Sequence, residues 1–195
     1  LGGIVHFTTI EEDGTLFAKD LCAGMCMIDQ WIRNNSQKKY DPEGTIASSG
    51  TVSKIILNQY LEDFYYFNKS KRSFDTSDFD ISFARGLSLE DGAATITSIT
   101  ANILNSYFFS NDKINNKHKL ILCGGGRKNK FLCERIRNFG DEVKNIDQFD
   151  IDGDFIESQA FAFLAIRSFL NLPISFPETT GCKTPSSGGT IVETK

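Results

Sequence analysis

The sequence has few of the features from which zinc, membrane-spanning and nucleic-acid-binding proteins are recognised. Its two histidines and five cysteines do not follow any zinc-binding spacing. No apolar run reaches the length that crosses a membrane. The 21 basic residues are outnumbered by 25 acidic ones and form no basic stripe; Lys69 to Arg72 is a local cluster that we interpret as a solvated loop. We therefore expect neither a membrane nor a nucleic acid among the partners.

The number of cysteines and the length of the chain indicate the cellular compartment. Their number is odd, and a chain of 195 residues is long enough to bury a core without a disulfide framework. We interpret all five as reduced, mostly buried thiols of a cytoplasmic protein. They are Cys22, Cys26, Cys123, Cys133 and Cys182.

The most informative segment present is a short apolar run, Leu120–Leu122, that ends at three glycines, Gly124 to Gly126. Leu132 and Ile136 follow at helical spacing, so the segment predicts a strand, a tight turn and a helix. Glycines allow a positive φ and the close approach of a ligand, and a helix start offers free N–H groups to a phosphate or a base. A nucleotide contact and a plain packing turn both remain open from this spacing. Asn129 fits either a helix cap or a hydrogen bond to a base or ribose.

The rest of the chain alternates between apolar patterns typical of strands and apolar patterns typical of helices, which predicts the α/β class. A hairpin is expected from 1–10 and 16–18, joined by the Asp13-Gly14 turn, and a last strand at 190–192. Helices are expected over 23–34 and over 155–170. A further helix is expected after Gly50, with Ile55 on its apolar face. Another is expected after the capping box at Ser88, with a stripe of Ile96, Ile99 and Ile103. A polar loop is expected at 111–119. Because the first residue is Leu and lies in an apolar segment, we interpret the chain as the C-terminal part of a longer protein.

Three further positions are candidates for function, each beside a structural alternative. Gly2-Gly3 either relieves crowding or lets backbone N–H groups approach a phosphate. Asp20 is either a helix N-cap, as Asp154 is for a later helix, or a carboxylate directed into a cleft at a strand end. Glu157 shares a stripe with Phe161, Leu164 and Ser168 on an apolar helix, where it is either a first-turn residue favoured by the helix dipole or a functional carboxylate.

Taken in order, these motifs resemble the C-terminal half of the anhydro-N-acetylmuramic acid kinase family, sugar kinases of the actin/hexokinase/Hsp70-like superfamily. Gly2-Gly3-Ile4 resembles the family's Gly-Gly-Ile-Ala-Asn strand, and Cys123 to Asn129 matches Cys-Gly-Gly-Gly-x-x-Asn. Similar matches continue along essentially the whole chain. They are the Asp20 to Trp31 segment, the Asp-Gly-Ala-Ala-Thr helix within 88–101, the Glu157 to Ala162 helix within 153–164, and Thr179-Thr180-Gly181.

The resemblance implies a ribonuclease H-like, actin-like ATPase lobe with a short mixed sheet flanked by helices. Residues 1–195 would form a single C-terminal nucleotide-binding lobe, with the N-terminal lobe absent. The implied reaction uses ATP, Mg²⁺ and water to convert 1,6-anhydro-N-acetylmuramic acid to N-acetylmuramic acid 6-phosphate and ADP, in peptidoglycan recycling. The implied site residues are Gly2, Gly3, Asp20 and Gly24 near phosphate or sugar, Gly124, Gly125, Gly126 and Asn129 at adenosine, and Glu157 on the sugar and water side.

The chain departs from the family pattern at one loop and in its extent. Where the family has Asp-Thr-Gly-Pro-Gly-Asn, this chain has Asp20-Leu21-Cys22-Ala23-Gly24-Met25, so that Cys22 and Met25 replace a glycine and an asparagine. The family's first phosphate loop and its catalytic aspartate lie in the N-terminal half. We therefore expect the chain alone to be inactive and to need the missing lobe as a partner. One alternative is a degenerate, non-catalytic remnant or interaction module, and another is a different sugar or acyl-phosphate kinase of the same superfamily. The assembly could include a homodimer.

Overall fold

The computed structural model describes residues 1–67, 73–108, 119–137 and 142–192. Within these ranges the chain is mixed α/β, as predicted, with small sheets flanked by helices. The strands form two separate pairs rather than the single mixed sheet that we expected. In the first pair β1 (Ile4–Ile10) and β2 (Leu16–Ala23) are antiparallel, and in the second β3 (Leu120–Leu122) and β4 (Val143–Asn145) are parallel.

The predicted hairpin is confirmed, and its second strand is longer than expected. Val5 and Phe7 on alternate positions of β1 are buried, which is the period of a strand with one face on a core. The turn contains Gly14 at φ +82°, a conformation that favours glycine. Pairing continues to Ala23, opposite Ile4, so the following helix begins three residues later than the predicted position 23.

Helices occupy most of the remaining described chain. They are α1 (Cys26–Asn35), α2 (Thr45–Ser49), α3 (Lys54–Phe67), α4 (Leu89–Phe108), α5 (Lys130–Arg137), α6 (Ile156–Phe169) and α7 (Pro177–Thr180). The short helix α2 was not predicted. The buried carboxylate of Asp41 holds its start by accepting hydrogen bonds from the backbone nitrogens of Ile46 at 2.8 Å and Ala47 at 2.9 Å.

Helix α4 is the centre of the core and packs against α1, α2, α3, α5 and β2. Its predicted apolar stripe is confirmed, because Ile96, Ile99 and Ile103 are at most 2% exposed. Half of the predicted capping box is confirmed, since the Ser88 hydroxyl accepts a hydrogen bond from the Asp91 nitrogen at 3.0 Å, whereas an Asp91 carboxylate oxygen accepts one from the Thr51 nitrogen at 2.7 Å. These features place the hydrophobic core in the residues that precede α6.

The C-terminal part of the chain is far more exposed than the sequence suggested. The apolar helix α6 forms as predicted, yet none of its residues is buried. Phe161 is 64% exposed and Phe169 is 72% exposed. Beyond it, α7 lies against β2, and Ser175 and Ser186 form an isolated antiparallel bridge. The predicted strand at 190–192 is wrong, because these residues adopt no strand.

Several smaller expectations can also be compared with the structure. Ile55 is 81% exposed, so its predicted place on the apolar face of α3 is wrong. All five cysteines are free, and only Cys22 and Cys133 are fully buried. The basic cluster at 69–72 and all but the last residue of the predicted loop 111–119 lie outside the described residues. None of the helices in the described ranges is long and apolar enough to cross a membrane.

Candidate functional site

The glycine turn lies against the beginning of the chain that forms β1. The Leu1 nitrogen donates a hydrogen bond to the Cys123 carbonyl at 2.7 Å, and the Gly126 nitrogen donates to the Leu1 carbonyl at 2.8 Å. These two bonds join the strand-to-turn segment of the second sheet to the first strand of the hairpin. The turn is therefore held from the side by a segment more than a hundred residues away in sequence.

The end of β2 closes the same cluster. The Met25 nitrogen donates to the Gly2 carbonyl at 2.9 Å, and the Gly24 nitrogen donates to the Gly3 carbonyl at 2.9 Å. A Cβ atom on Gly24 would lie 2.4 Å from the Gly2 oxygen, so the backbones meet too closely for any side chain there. The structure thus brings together the predicted positions 2, 3, 24 and 124–126, which the sequence only suggested one by one.

The three glycines of the turn serve different purposes. Gly124 has φ +79°, and a Cβ atom there would lie 2.9 Å from the Leu1 oxygen. A Cβ atom on Gly126 would lie 2.8 Å from the Leu1 Cβ. Packing therefore explains both residues. Around the Cβ position of Gly125, by contrast, nothing within the described ranges lies closer than 4 Å, and its φ is not positive. Gly125 is the glycine whose presence packing does not explain.

Asn129 follows the turn, and only the oxygen of its side-chain amide is hydrogen-bonded within the described chain. Its side-chain oxygen accepts a hydrogen bond from the Leu132 nitrogen at 2.9 Å, which caps α5 as one of our two interpretations required. The residue is 3% exposed, and its amide nitrogen has no hydrogen-bond partner among the described residues. An unpaired buried donor is costly and is normally satisfied by a ligand or water. The second interpretation, a hydrogen bond to a base or ribose, is therefore compatible with the cap.

The predicted order of strand, tight turn and helix is confirmed by β3, the glycine turn and α5. A 3₁₀ turn, Gly125–Lys128, includes two of the three glycines, and α5 begins at Lys130. A contact between the N–H groups of this helix start and a phosphate or a base stays a prediction. Backbone groups of the turn, rather than of the helix, border the open position at Gly125.

Sequence reasoning missed Arg127, whose side chain contacts both the glycine turn and the acidic residues that precede α6. The residue is 5% exposed, and its guanidinium forms two hydrogen bonds with Asp147, from Nε to Oδ2 at 2.7 Å and from Nη2 to Oδ1 at 3.0 Å. Its Nη1 donates to Asp154 Oδ1 at 2.9 Å. These bonds raise the pKa of Arg127 and lower the pKa of Asp147 to about 2, with the hydrogen bond between them as the largest cause. A basic residue inside the glycine turn, followed by the acidic loop at 147–154, was the available signal.

Asp20 lies within β2 and not at the start of a helix, so the N-cap interpretation is wrong. It lies opposite His6, whose Nδ1 is 2.8 Å from Asp20 Oδ1. The other carboxylate oxygen accepts a hydrogen bond from the Phe74 nitrogen at 3.0 Å. Both oxygens therefore have partners within the protein, and a role of Asp20 near phosphates or sugar stays a prediction.

Glu157 lies in the first turn of α6 and is exposed. The helix includes the whole expected stripe, but the stripe is not buried against the described chain, because Phe161, four residues later, is itself 64% exposed. The expected cap of this helix is wrong as well. Asp154 binds Arg127 and Lys128, and the helix has no side-chain cap. These ion pairs nevertheless attach the beginning of α6, and with it Glu157, to the residues that follow the glycine turn.

The other aspartates of the described loops serve mostly as caps and turn residues. Asp75 accepts a hydrogen bond from the Ser77 nitrogen at 2.9 Å, and Asp152 accepts one from the Asp154 nitrogen at 2.9 Å. Asp78 completes the capping box with Asp75, while Asp80 and Asp91 bond to Ser82 and to the Thr51 nitrogen. The described residues contain no group of three or more His, Cys, Asp or Glu side chains that could hold a metal ion.

Comparison with known proteins decides the family. The family model for anhydro-N-acetylmuramic acid kinase matches residues 1–194 of the chain. The chain belongs to this family. This match confirms the family that the order of the motifs suggested.

Curated anhydro-N-acetylmuramic acid kinases show the same relationship. The kinase of Pelagibacter ubique is 44% identical over an aligned length of 201 residues, and the alignment covers 99% of this chain and 54% of that protein. The kinase of Brucella canis is 37% identical over an aligned length of 197 residues, and the alignment covers 98% of this chain and 52% of that protein. The kinase of Zymomonas mobilis is 37% identical over 194 residues. The chain spans about half the length of these curated relatives.

Proposed function

We propose that residues 1–195 form the C-terminal, nucleotide-contacting lobe of an ATP-dependent sugar kinase with a ribonuclease H-like fold. The observation that carries this proposal is the meeting of three glycine-containing segments around Gly125. Close backbone approach explains Gly24, Gly124 and Gly126, whereas the described chain leaves the position beside Gly125 open. A backbone without a side chain, next to open space, suits a polar ligand that binds main-chain groups.

The residues of this cluster fit a nucleotide. The buried amide nitrogen of Asn129 lacks a partner in the described chain and is a donor for a base nitrogen or a ribose oxygen. Gly2 and Gly3 lie beside the turn and would border the phosphates. ATP supplies the phosphoryl group when it is bound. The residues of this chain would bind and orient the nucleotide, and we assign no residue to magnesium.

The relatives are named as kinases of anhydro-N-acetylmuramic acid, and we propose the corresponding reaction for the assembled enzyme. Water would open the 1,6-anhydro ring of anhydro-N-acetylmuramic acid, and the freed O6 would receive the γ-phosphoryl group of ATP. The products would be N-acetylmuramic acid 6-phosphate and ADP, in cytoplasmic recycling of peptidoglycan. Glu157, carried on the helix that Arg127 attaches to the turn, would face the sugar and the attacking water. We place the catalytic base in the half of the relatives that this chain does not cover.

The exposure of α6 supports the need for a second half. The helix carries only Glu157 and Arg167 as charged residues and exposes apolar side chains around its circumference. A helix that is apolar on every side is normally buried, and one of 14 residues is too short to span a bilayer, which takes about 20. The curated relatives are about twice as long as this chain. We therefore propose that α6 packs into the other half of the kinase, whether that half is in the same chain or separate.

The proposal is tested by supplying that half. The chain would be co-expressed with the portion of the Pelagibacter ubique kinase that it does not match. Titration calorimetry would then measure ATP binding, and a coupled assay would measure ADP release with 1,6-anhydro-N-acetylmuramic acid. We expect ATP binding by the pair and sugar-dependent turnover that neither half shows alone. Absence of both heat and turnover in the pair would reject the proposed function.

The replaced loop between Asp20 and Met25 favours one second candidate, a lobe that binds no nucleotide and serves as an interaction module. In the structure the Met25 sulfur lies 3.1 Å from the position of a Gly126 Cβ, so this side chain borders the turn. The substitution Met25→Asn restores the family residue. If only the Met25→Asn pair binds ATP, the lobe is degenerate; if the unchanged pair already binds ATP and turns over, the kinase assignment holds.

A further inference from the structure

The orientation of one peptide decides what the open glycine offers to a ligand. The Gly124 carbonyl accepts two hydrogen bonds from the same residue, from the Arg127 backbone nitrogen at 3.2 Å and from Arg127 Nη1 at 3.2 Å. This carbonyl belongs to the peptide that also carries the Gly125 N–H. In a trans peptide the C=O and N–H groups point in opposite directions, and the described chain contains no cis peptide. The Gly124 carbonyl therefore points toward Arg127, and the Gly125 N–H points away from Arg127.

The guanidinium that makes this contact is itself fixed. Both oxygens of Asp147 and one oxygen of Asp154 accept its hydrogen bonds, at 2.7 to 3.0 Å. The backbone of Gly153 lies against its face, where a Cβ atom would be 2.2 Å from Nε. Four directed hydrogen bonds from one planar group require the fork of arginine. An ammonium group has three donors on a flexible stem and does not reproduce this geometry.

Such an anchor matters because the turn has little rigidity of its own. Three consecutive glycines have the largest backbone entropy of any tripeptide, and around Gly125 the described chain offers no packing neighbour. The Leu1 contacts hold Cys123 and Gly126, but neither bond involves the Gly124–Gly125 peptide. Only Arg127 has a hydrogen bond to that peptide within the described ranges.

We propose that Arg127 is a positioning residue that fixes the Gly124–Gly125 peptide and so presents the Gly125 N–H to the bound nucleotide. This inference rests on the proposed function and names the residue that prepares its site. Through Asp154 the same guanidinium also attaches the start of α6. The open turn and the helix that carries Glu157 are thus held by one side chain.

The first test measures the turn directly, in the 195-residue chain labelled with ¹⁵N-glycine. We expect the NMR order parameter of the Gly125 amide to be near 0.85 and to fall below about 0.6 in the variant Arg127→Lys. The matched control is Lys128→Gln, since the exposed Lys128 side chain binds Asp154 and, within the described ranges, makes no hydrogen bond to Gly124 or Gly125. A folded Arg127→Lys variant with a Gly125 amide as rigid as in the parent would overturn the proposal. If Arg127→Lys does not fold, Asp154→Ala decides by the same criterion, because it removes the carboxylate that holds Nη1 beside the Gly124 carbonyl.

The second test asks whether the turn serves the nucleotide. In the pair with the Pelagibacter ubique half, we expect Arg127→Lys to raise the ATP dissociation constant roughly tenfold, while Lys128→Gln leaves it unchanged. A variant that loses thermal stability but binds ATP like the parent would show a purely structural role and reject the inference. If the parent pair binds no ATP, the proposed function fails, whereas the NMR measurement still decides whether Arg127 orders the peptide.

Discussion

Substitution of the three turn glycines by alanine, one at a time, separates packing from ligand contact. Alanine at Gly125 meets no other atom of the described chain within 4 Å and needs no unusual φ. We therefore expect the free energy of unfolding to change by less than about 0.5 kcal/mol, as for an ordinary surface substitution. The added methyl group would occupy the space where a ligand approaches the backbone. ATP affinity of the assembled pair should consequently fall on the order of tenfold, which is about 1.4 kcal/mol.

The neighbouring glycines provide the matched controls. Gly124 has φ +79° and ψ 178°, a region that is essentially restricted to glycine and costs other residues about 1–3 kcal/mol. Its new Cβ would also lie 2.9 Å from the Leu1 oxygen, which already accepts the hydrogen bond from the Gly126 nitrogen and so is not free to move. At Gly126 the contact of 2.8 Å is with the Leu1 Cβ, and such overpacking costs about 1–3 kcal/mol.

Two measurements compare the three variants. Urea unfolding of the isolated chain, monitored by circular dichroism, gives the free energy of unfolding, and ATP titration of the pair gives the affinity. The reasoning requires Gly125→Ala to lose affinity without losing stability, and Gly124→Ala and Gly126→Ala to lose stability. Normal ATP affinity in the Gly125→Ala pair would show that no ligand approaches this backbone position. A large loss of stability at Gly125 would show that the space beside it is filled by the protein.

Three other perturbations test the fold and its charges. Gly92→Ala should lower the free energy of unfolding by about 1–3 kcal/mol in urea, because its Cβ would lie 2.2 Å from the buried ring of Trp31, although alanine normally favours a helix. Ile99→Ala should lower it by about 2–5 kcal/mol, since the residue is 0% exposed at the centre of α4. The pKa of Asp147 falls from 3.8 to about 2, chiefly through Arg127, so its stabilising contribution is complete above pH 4 and disappears as the pH falls towards 2. Melting temperatures should accordingly separate Asp147→Asn from the parent at pH 6, and the difference should shrink in that acid range.

Local sequence patterns were sufficient to predict those helices and strands whose buried face is determined by their own residues. The isoleucine stripe of α4 and the Leu132–Ile136 pair of α5 were predicted because helical spacing places these residues on one face, and that face is buried. The hairpin followed from its turn residues. The end of β2 was underestimated, since Cys22 and Ala23 continue the pairing with Val5 and Ile4, a contact between strands that the linear sequence does not show.

Contacts between distant segments were beyond the sequence. Arg127 was passed over because its partners lie 20 and 27 residues away, and an arginine beside a lysine resembles a solvated charge. The expected burial of Glu157 failed for a different reason. Apolar residues on α6 indicate that the helix is buried against something, but they do not say that the partner is in this chain.

The two replaced residues of the altered loop, Cys22 and Met25, have different surroundings in the structure. Cys22 is 1% exposed and lies in β2 opposite Val5, and burial raises the pKa of its thiol, so this side chain belongs to the core and not to the cluster of glycines. Returning it to the family's glycine would remove buried volume from a strand. Met25, in contrast, donates its backbone nitrogen to Gly2 and directs its sulfur toward Gly126. Reversion at Met25 alone therefore tests the nucleotide site, because reversion at Cys22 would also change the stability of the lobe.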